Sequence, residues 1–273
     1  MRWTPGGRSP NLEDRRSAGG GMGRGLGIGG TVVVLALSLI FGRDLFSDLG
    51  VEPGVGTAGA PMTAADSAAQ DTTVQFVSFL LDDVQGVWAK TLPGRYTPAR
   101  LVLFRNSTDS GCGPAQSAMG PFYCPLDQRV YLDLGFFDEL SRRFGATGDF
   151  ARAYVLAHEL GHHVQHVLGT DARVRQAQEA NPSAANELSV RVELQADCYA
   201  GVWAHTTDQR QMLQEGDVDE ALGAASAVGD DRIQSRTTGR VNVDSFTHGS
   251  AAQRSQWFKR GFESGDPRNC NTL

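Results

Sequence analysis

The chain has 273 residues, which is enough for one sizeable domain with additional segments. Its formal net charge is −6 at pH 7 and its pI is near 5.5, so nucleic acid is not expected to be its partner. Nothing in the composition indicates an oligomeric state.

The N-terminal region differs in composition from the rest of the chain. Residues 1–24 are rich in glycine, serine and arginine and predict a disordered, basic segment. Residues 25–42 form an uncharged apolar run of about the minimum length for crossing a bilayer. A cleaved signal peptide is the alternative, but Arg43 and Asp44 follow the run where small residues would mark a cleavage site. Residues 43–70, rich in glycine, proline and alanine, predict a flexible linker.

Together these segments predict a single-pass cell-membrane protein. Basic residues before the apolar run place the N-terminus in the cytoplasm, so residues 71–273 would form an extracytoplasmic domain. Four cysteines agree with export, because an even count favours two disulfides in an oxidising compartment. Of the three possible pairings, we expect Cys112 to pair locally with Cys124 across a Gly/Pro-rich segment, which leaves Cys198 for Cys270. A cysteine-ligated zinc site is the alternative, but the spacings are irregular and no C-x-x-C occurs.

Residues 71–273 carry the patterns of an α+β domain. Apolar residues at helical spacing predict a first helix over Thr73–Lys90. Strands are predicted over Leu101–Phe104 and Asp127–Asp133, with turns and a short strand between them. The remaining helices are predicted near Phe136–Arg143, around His158, around Glu193, over Val218–Arg232 and over Ser250–Phe262. A small sheet followed by helices is the α+β arrangement.

The most informative motif is His158-Glu159-Leu160-Gly161-His162, an H-E-x-x-H sequence. Residues four apart share a helix face, so two imidazoles can bind one ion while Glu159 reaches a water bound to it. This spacing is typical of metal-dependent hydrolases with two zinc ligands and a general base. The surrounding segment is strongly apolar, and buried histidines need partners that a metal would supply. Asp149 is expected to be the N-cap of this helix, and Gly169 the residue that stops it at its C-terminal end.

A second helix offers the complementary ligand. Glu193 and Asp197 are four residues apart, so Glu193 can bind the metal while Asp197 accepts the second ring N–H of a ligating histidine. A solvated helix face is the alternative for these two carboxylates. His166 lies about 12 Å along the helix from His158, too far to share one zinc ion at about 2 Å. We therefore expect His163 and His166 to be structural or surface residues.

Several sequence blocks resemble the bacterial neutral zinc metallopeptidase family. They are Gly120–Pro125, Val130–Phe137, His158–Gln165, Glu193–Cys198 and Phe246–Ser250. The resemblance implies a zinc-dependent endopeptidase with a zincin-like fold, in which a small mixed sheet packs on the active-site helix before a mainly helical C-terminal part. It implies one catalytic Zn²⁺ held by His158, His162 and Glu193, and one N-terminal membrane helix.

The resemblance also implies an extended peptide or protein substrate. In zincins the sheet edge borders the cleft, so we expect the strand containing Tyr131, Leu132 and Asp133 to pair with substrate through main-chain hydrogen bonds. An ordinary core strand is the alternative for these residues.

In the expected reaction, Glu159 takes a proton from the metal-bound water and returns it to the leaving amine. His248, in a Gly-flanked turn before a helix, is the candidate for stabilising the oxyanion, and Tyr131, Tyr154 and Tyr199 are weaker candidates. A non-catalytic, zinc-stabilised binding module on the cell surface is one alternative, but it needs a fourth protein ligand and has no use for Glu159. A metal-dependent amidase of non-peptide substrates, such as a deformylase, would need an upstream cysteine ligand whose motif the sequence lacks.

Overall fold

The computed structural model describes residues 1–17, 64–143 and 145–273. The strands in these residues are β1 (Leu12–Asp14), β2 (Arg100–Phe104), β3 (Ser107–Ser110), β4 (Gly113–Gln116), β5 (Phe122–Cys124) and β6 (Arg129–Asp133). The helices are α1 (Ala64–Thr91), α2 (Gly135–Arg142), α3 (Asp149–Val167), α4 (Thr170–Ala180), α5 (Ala185–Gln209), α6 (Asp217–Ala227), α7 (Asp230–Thr238) and α8 (Ala251–Ser264). This is a mixed α+β fold, as the sequence predicts.

The main sheet has four strands in the order β1-β2-β6-β5. β1, β2 and β6 run parallel, and β5 is antiparallel to β6. The inner strand β2 is buried from Leu101 through Phe104, as expected for a strand covered on both faces. β3 and β4 form a separate two-stranded hairpin.

The N-terminal strand β1 is an integral part of this sheet. Leu12 lies opposite Leu101, and the Arg15 amide donates to the Leu103 carbonyl at 2.7 Å. Arg16 is buried, with its guanidinium on Asp14 at 2.8 Å. The prediction of a disordered segment is therefore wrong for residues 1–17. Pairing with a distant strand satisfies their backbone hydrogen bonds, and ion pairs satisfy their arginines, neither of which composition can reveal.

The pairing of β1 with β2 also constrains the predicted membrane topology. Hydrogen-bonded strands lie on the same side of any membrane, whereas one crossing within residues 25–42 would separate residues 1–24 from residues 71–273. A single-pass arrangement with these two parts on opposite sides is incompatible with the pairing. The apolar run itself and residues 43–63 of the predicted linker lie outside the described residues. Among the residues that are described, no helix is both long and apolar enough to cross a membrane.

The core lies between the sheet and the helices, with α3 at its centre. α3 is buried along most of its length and contacts α1, α5 and α6. Phe150 of α3 stacks on Trp203 of α5 with ring centroids 5.5 Å apart. The N-cap of α3 is Gly148 and not Asp149, which is the first residue of the helix. The side chain that accepts a first-turn amide comes from α6, where the Glu220 carboxylate accepts the Phe150 amide at 3.0 Å.

The helix predicted over Val218–Arg232 is two helices, α6 and α7. The chain turns at Gly229, where a Cβ would lie 2.3 Å from the Ala251 amide nitrogen. This close packing against the start of α8 interrupts the helix. It places Asp230 at the first turn of α7, beside the loop that precedes α8.

Candidate metal centre

Three side chains converge where α3 meets α5. His158 and His162 project from one face of α3, as the four-residue spacing predicts, and Glu193 projects from α5. The Nε2 atom of His158 lies 3.1 Å from one Glu193 carboxylate oxygen, and the Nε2 atom of His162 lies 3.5 Å from the other. One ligand atom from each residue falls within 4.8 Å of the others.

A glycine allows the two helices to approach at this point. A Cβ at Gly161 would lie 3.1 Å from the Ala196 carbonyl oxygen and 3.2 Å from its Cα, so a larger residue would push α5 away. Gly161 lies between the two histidines on α3, and Ala196 lies between Glu193 and Asp197 on α5. The close approach therefore sets the distance between the imidazoles and the carboxylates.

Each histidine is oriented by a hydrogen bond at its other ring nitrogen. His158 Nδ1 lies 2.9 Å from Asp197 Oδ1, and His162 Nδ1 lies 2.9 Å from Gln165 Oε1. The amide of Gln165 in turn donates to the Val192 carbonyl on α5 at 2.7 Å. Such partners fix the ring orientation and leave Nε2 for a metal. Asp197 was expected in this role, whereas Gln165 was missed although it lies one helical turn after His162.

Arg254 is another residue that sequence reasoning missed. Its guanidinium lies on both carboxylate oxygens of Asp197, with Nε to Oδ2 at 2.8 Å and Nη2 to Oδ1 at 3.0 Å. The Tyr154 hydroxyl donates to Asp197 Oδ1 as well. Arg254 and Asp197 are both buried. No sequence pattern links an arginine on α8 to a carboxylate on α5.

The three converging side chains fit a zinc ion. Zinc prefers imidazole nitrogen and carboxylate oxygen at about 2.0–2.2 Å in tetrahedral geometry, which separates neighbouring ligand atoms by about 3.3 Å. The separations of 3.1 and 3.5 Å, one to each oxygen of Glu193, are close to that value, and one ligand atom from each of the three residues lies within 4.8 Å of the others. His158, His162 and Glu193 could therefore hold the ion and leave a fourth position for water.

Charges around the site are tightly coupled. Burial alone would lower the pKa of His158, but the charge of Asp197 and hydrogen bonds to Asp197 and Glu193 raise it to about 10 in the metal-free protein. Burial opposes ionisation of Glu193, yet the positive charges of His162 and His158 hold the pKa of its carboxyl well below the usual range. Both shifts arise because the His158 imidazole lies between two carboxylates, an arrangement whose negative charge a metal ion would also balance.

The remaining residues of the motif region take different places. Glu159 is nearly buried and follows His158 directly on α3. His163 bonds the Tyr123 hydroxyl at 2.9 Å and the Thr97 carbonyl at 2.6 Å, which ties α3 to β5 and to the loop before β2. His166 bonds Asp171 of α4 at 2.8 Å. Both outer histidines are occupied by contacts within the fold, as expected.

His248 lies in a loop held against the Glu193 helix. Gly249 packs so closely on Val190 and Leu194 of α5 that a Cβ there would lie 3.2 and 3.3 Å from their side chains. The charge of Glu193 contributes to raising the pKa of His248, and the charge of His248 contributes to lowering the pKa of Glu193. About half of the His248 side chain is exposed. The loop is organised by Asp230, which was not predicted.

The three tyrosines considered as oxyanion donors are engaged elsewhere. The Tyr131 hydroxyl donates to Asp127 at 2.6 Å, and its ring stacks on Phe122. The Tyr154 hydroxyl donates to Asp197, and Tyr199 packs edge-on against Trp88. None of these contacts directs a hydroxyl toward the open position of the metal centre.

The strand expected to pair with substrate is not a sheet edge. β6, with Tyr131, Leu132 and Asp133, lies between β2 and β5. Leu132 is buried in the main core, and the Asp133 carboxylate accepts the backbone amides of Asn106 and Gly135. The prediction is therefore wrong for β6, because sequence patterning does not reveal strand order. The terminal strand on this side is β5, which contacts α3 through Tyr123.

Both expected disulfides are present. Cys112 at the tip of the β3–β4 hairpin is bonded to Cys124 of β5, and Cys198 of α5 is bonded to Cys270 near the C-terminus. The Gln195 amide donates to the Cys270 carbonyl at 3.0 Å, so two contacts hold the C-terminal segment against the helix that carries Glu193.

Known proteins are similar to this chain over most or all of its length. The profile of the family described as "Putative neutral zinc metallopeptidase" matches residues 1–273. Uncharacterized protein YpfJ of Escherichia coli (strain K12) is 46% identical over 286 residues, covering 100% of this chain and 99% of that protein. Uncharacterized protein Rv2575 of Mycobacterium tuberculosis (strain ATCC 25618 / H37Rv) is 44% identical over 250 residues, covering 82% of this chain and 84% of its own length. No solved structure matches the chain.

Proposed function

Because the chain belongs to the neutral zinc metallopeptidase family, we propose that it hydrolyses peptide bonds in extracytoplasmic proteins or peptides, as a zinc-dependent endopeptidase. The observation that carries this proposal is the convergence of His158, His162 and Glu193 beside Glu159. A bound zinc ion would supply Lewis acidity and lower the pKa of a bound water.

The protein's own residues supply the proton transfers and the positioning. Glu159 accepts a proton from the attacking water and delivers it to the leaving amine. His248 donates a hydrogen bond to the oxyanion that develops on the scissile carbonyl. Asp230 holds His248 by its Nδ1 atom at 3.1 Å, which leaves Nε2 directed away from that bond and available to substrate.

Two features favour catalysis over a purely structural zinc site. Among the described residues, the group of converging ligands has three members, whereas structural zinc sites are almost always closed by four protein ligands. Glu159 also directly follows a ligand on α3 and is buried, as expected of a proton carrier in a site closed to bulk water. A zinc-stabilised binding module would require neither feature.

We propose that substrate lies along β5 and not along β6. β5 is the terminal strand on the side of the sheet that contacts α3, so a peptide that extends the sheet there would pair with Phe122–Cys124. Main-chain pairing makes few demands on substrate sequence. The two disulfides support an oxidising, extracytoplasmic compartment for this reaction.

Glu159→Gln separates metal binding from proton transfer. We expect the full-length variant to bind zinc like the parent but to hydrolyse peptides at least about 100-fold more slowly, because the amide cannot accept the proton. The assay incubates zinc-loaded protein with a proteome-derived peptide library and identifies new termini by mass spectrometry. Glu187→Gln, at an exposed carboxylate of α5, is the matched control and should cleave normally. Parental cleavage rates in Glu159→Gln would overturn the mechanism.

Glu193→Ala tests the ligand assignment. This variant should lose zinc together with activity, because two imidazoles remain where three ligands are needed. Zinc content after dialysis, measured by atomic absorption, distinguishes it from Glu159→Gln. Undiminished zinc in Glu193→Ala would contradict the proposed metal centre.

A further inference from the structure

We propose that Arg254 is a positioning residue of the metal centre: it fixes Asp197, and through Asp197 it fixes the ring of His158. This inference rests on the proposed zinc site and goes beyond it, since Arg254 contributes no metal ligand. Its contacts, its burial and the way α8 approaches α5 each support this role.

The guanidinium of Arg254 contacts the Asp197 carboxylate through two of its nitrogen atoms, and both groups are buried. Arg254 is 3% exposed and Asp197 is 0% exposed. Arg254 Nε donates to Asp197 Oδ2. The other oxygen, Oδ1, is contacted by His158 Nδ1, the Tyr154 hydroxyl and Arg254 Nη2. A two-point contact between planar groups fixes the plane of the carboxylate as well as its position.

Fixing that plane has a direct effect on His158. The hydrogen bond between His158 Nδ1 and Asp197 Oδ1, at 2.9 Å, orients the imidazole ring. Arg254 Nη2 also lies 3.3 Å from His158 Nδ1 and 3.4 Å from Nε2, so the guanidinium rests against the imidazole. If the carboxylate could rotate, the ring would lose the partner that directs Nε2 toward Glu193 and the metal.

Few other contacts explain a buried arginine at this position. Its remaining hydrogen bonds run from Nη2 to the Tyr154 hydroxyl at 3.2 Å and from Nη1 to the Val228 carbonyl at 3.3 Å. The first of these ends on a hydroxyl that itself donates to Asp197. The approach of α8 to α5 is set separately, by glycines. A Cβ at Gly261 would lie 1.9 Å from the Cys198 carbonyl oxygen, and one at Gly201 would lie 2.1 Å from the Phe258 carbonyl oxygen. The backbone contact positions the helix, and the arginine uses that position to reach Asp197.

A double-mutant cycle tests whether Arg254 acts through Asp197. Zinc affinity is measured on the full chain by competition with a chromophoric chelator, for the parent, Arg254→Met, Asp197→Asn and the combined variant. We expect Arg254→Met to weaken zinc binding about 10–100-fold, as other outer partners of metal ligands do. In the Asp197→Asn background, the same substitution should cause little further loss, because its target is already altered. Arg254→Lys should fall between, since an ammonium keeps the charge but not the two-point contact.

Controls separate this role from a general effect on folding. Arg260→Met removes an arginine that lies over Trp257 on the same helix and should leave zinc affinity unchanged. Thermal unfolding of each metal-free variant reports stability independently of zinc. If Arg254→Met does not fold, the Lys substitution in both backgrounds completes the cycle.

The outcomes distinguish the two proposals. Equal losses of zinc affinity in both backgrounds, or a loss of stability with parental zinc affinity, would overturn the role of Arg254 and leave the metal centre intact. A parent protein that binds no zinc would overturn the proposed function itself.

Discussion

His248 shows how one residue's hydrogen bonds decide what it can do in a reaction. The Asp230 carboxylate accepts the backbone amides of Thr247, His248 and Gly249, and it also holds His248 Nδ1. The hydrogen bond to Asp230 and the charge of Glu193 raise the pKa of His248, while partial burial and Arg254 oppose the shift. With Nδ1 occupied, Nε2 carries a proton only when the ring is positively charged.

This arrangement predicts a specific pH dependence. Hydrolysis should decline as the pH rises through the raised pKa of His248, above the ordinary value of 6.5, because a protonated donor is lost there. His248→Ala should lower kcat by about 100-fold and remove this alkaline decline. The pH–rate profile on a peptide substrate measures both, with His205→Gln as a control away from the loop. An unchanged alkaline limb in His248→Ala would contradict the role.

At the scale of elements, glycines set how closely the helices approach. Gly161 brings α3 to α5, and Gly261 brings α8 to the backbone of α5. The periodicity of α3 and α5 predicts both helices, and the four-residue spacings predict that His158 and His162 share one face, as do Glu193 and Asp197, because these features depend on local sequence. Arg254 could not be predicted in this way, because it lies 57 residues after Asp197 and reaches it only through the packing of α8. Strand order is equally non-local, which is why β6 was expected at the edge of the sheet but lies between β2 and β5.

The glycine contact between α8 and α5 can be tested by adding one methyl group. Gly261→Ala should lower the free energy of unfolding by about 1–3 kcal/mol, because its Cβ has no space beside Cys198. Gly223→Ala on α6, where nothing lies within 4 Å of the added Cβ, should instead raise it by about 0.5–1 kcal/mol. Urea unfolding with the disulfides intact measures both. Equal effects of the two substitutions would contradict the close approach.

For the whole molecule, the strongest constraint is that residues 1–17 belong to the same body as the metal centre. Because β1 pairs with β2, residues 1–17 and the metal centre lie on the same side of any membrane. Composition could not indicate this, since an arginine-rich N-terminus before an apolar run has the pattern of a cytoplasmic flank. The pairing partner of β1 lies nearly ninety residues further along the chain, beyond the reach of local patterns.

Labelling in intact cells checks this arrangement. Gly7→Cys and Arg240→Cys each place a thiol at an exposed position, one before residues 18–63 and one in the C-terminal part. A membrane-impermeant maleimide should label both variants to the same extent before lysis. After detergent lysis, the ratio of the two labelling yields should be unchanged. Labelling of one position in intact cells and of the other only after lysis would show that β1 and the domain lie on opposite sides.

The place of β1 at the end of the sheet has a practical consequence for fragments of this protein. A fragment that starts at residue 71 would keep every metal ligand but would expose the main-chain donors and acceptors of β2, a strand of otherwise buried apolar residues. Open edges of this kind promote association between copies. Because β1 is joined to the domain mainly by strand pairing and ion pairs, a separate peptide of residues 1–17 could occupy the open edge and complement such a fragment in trans.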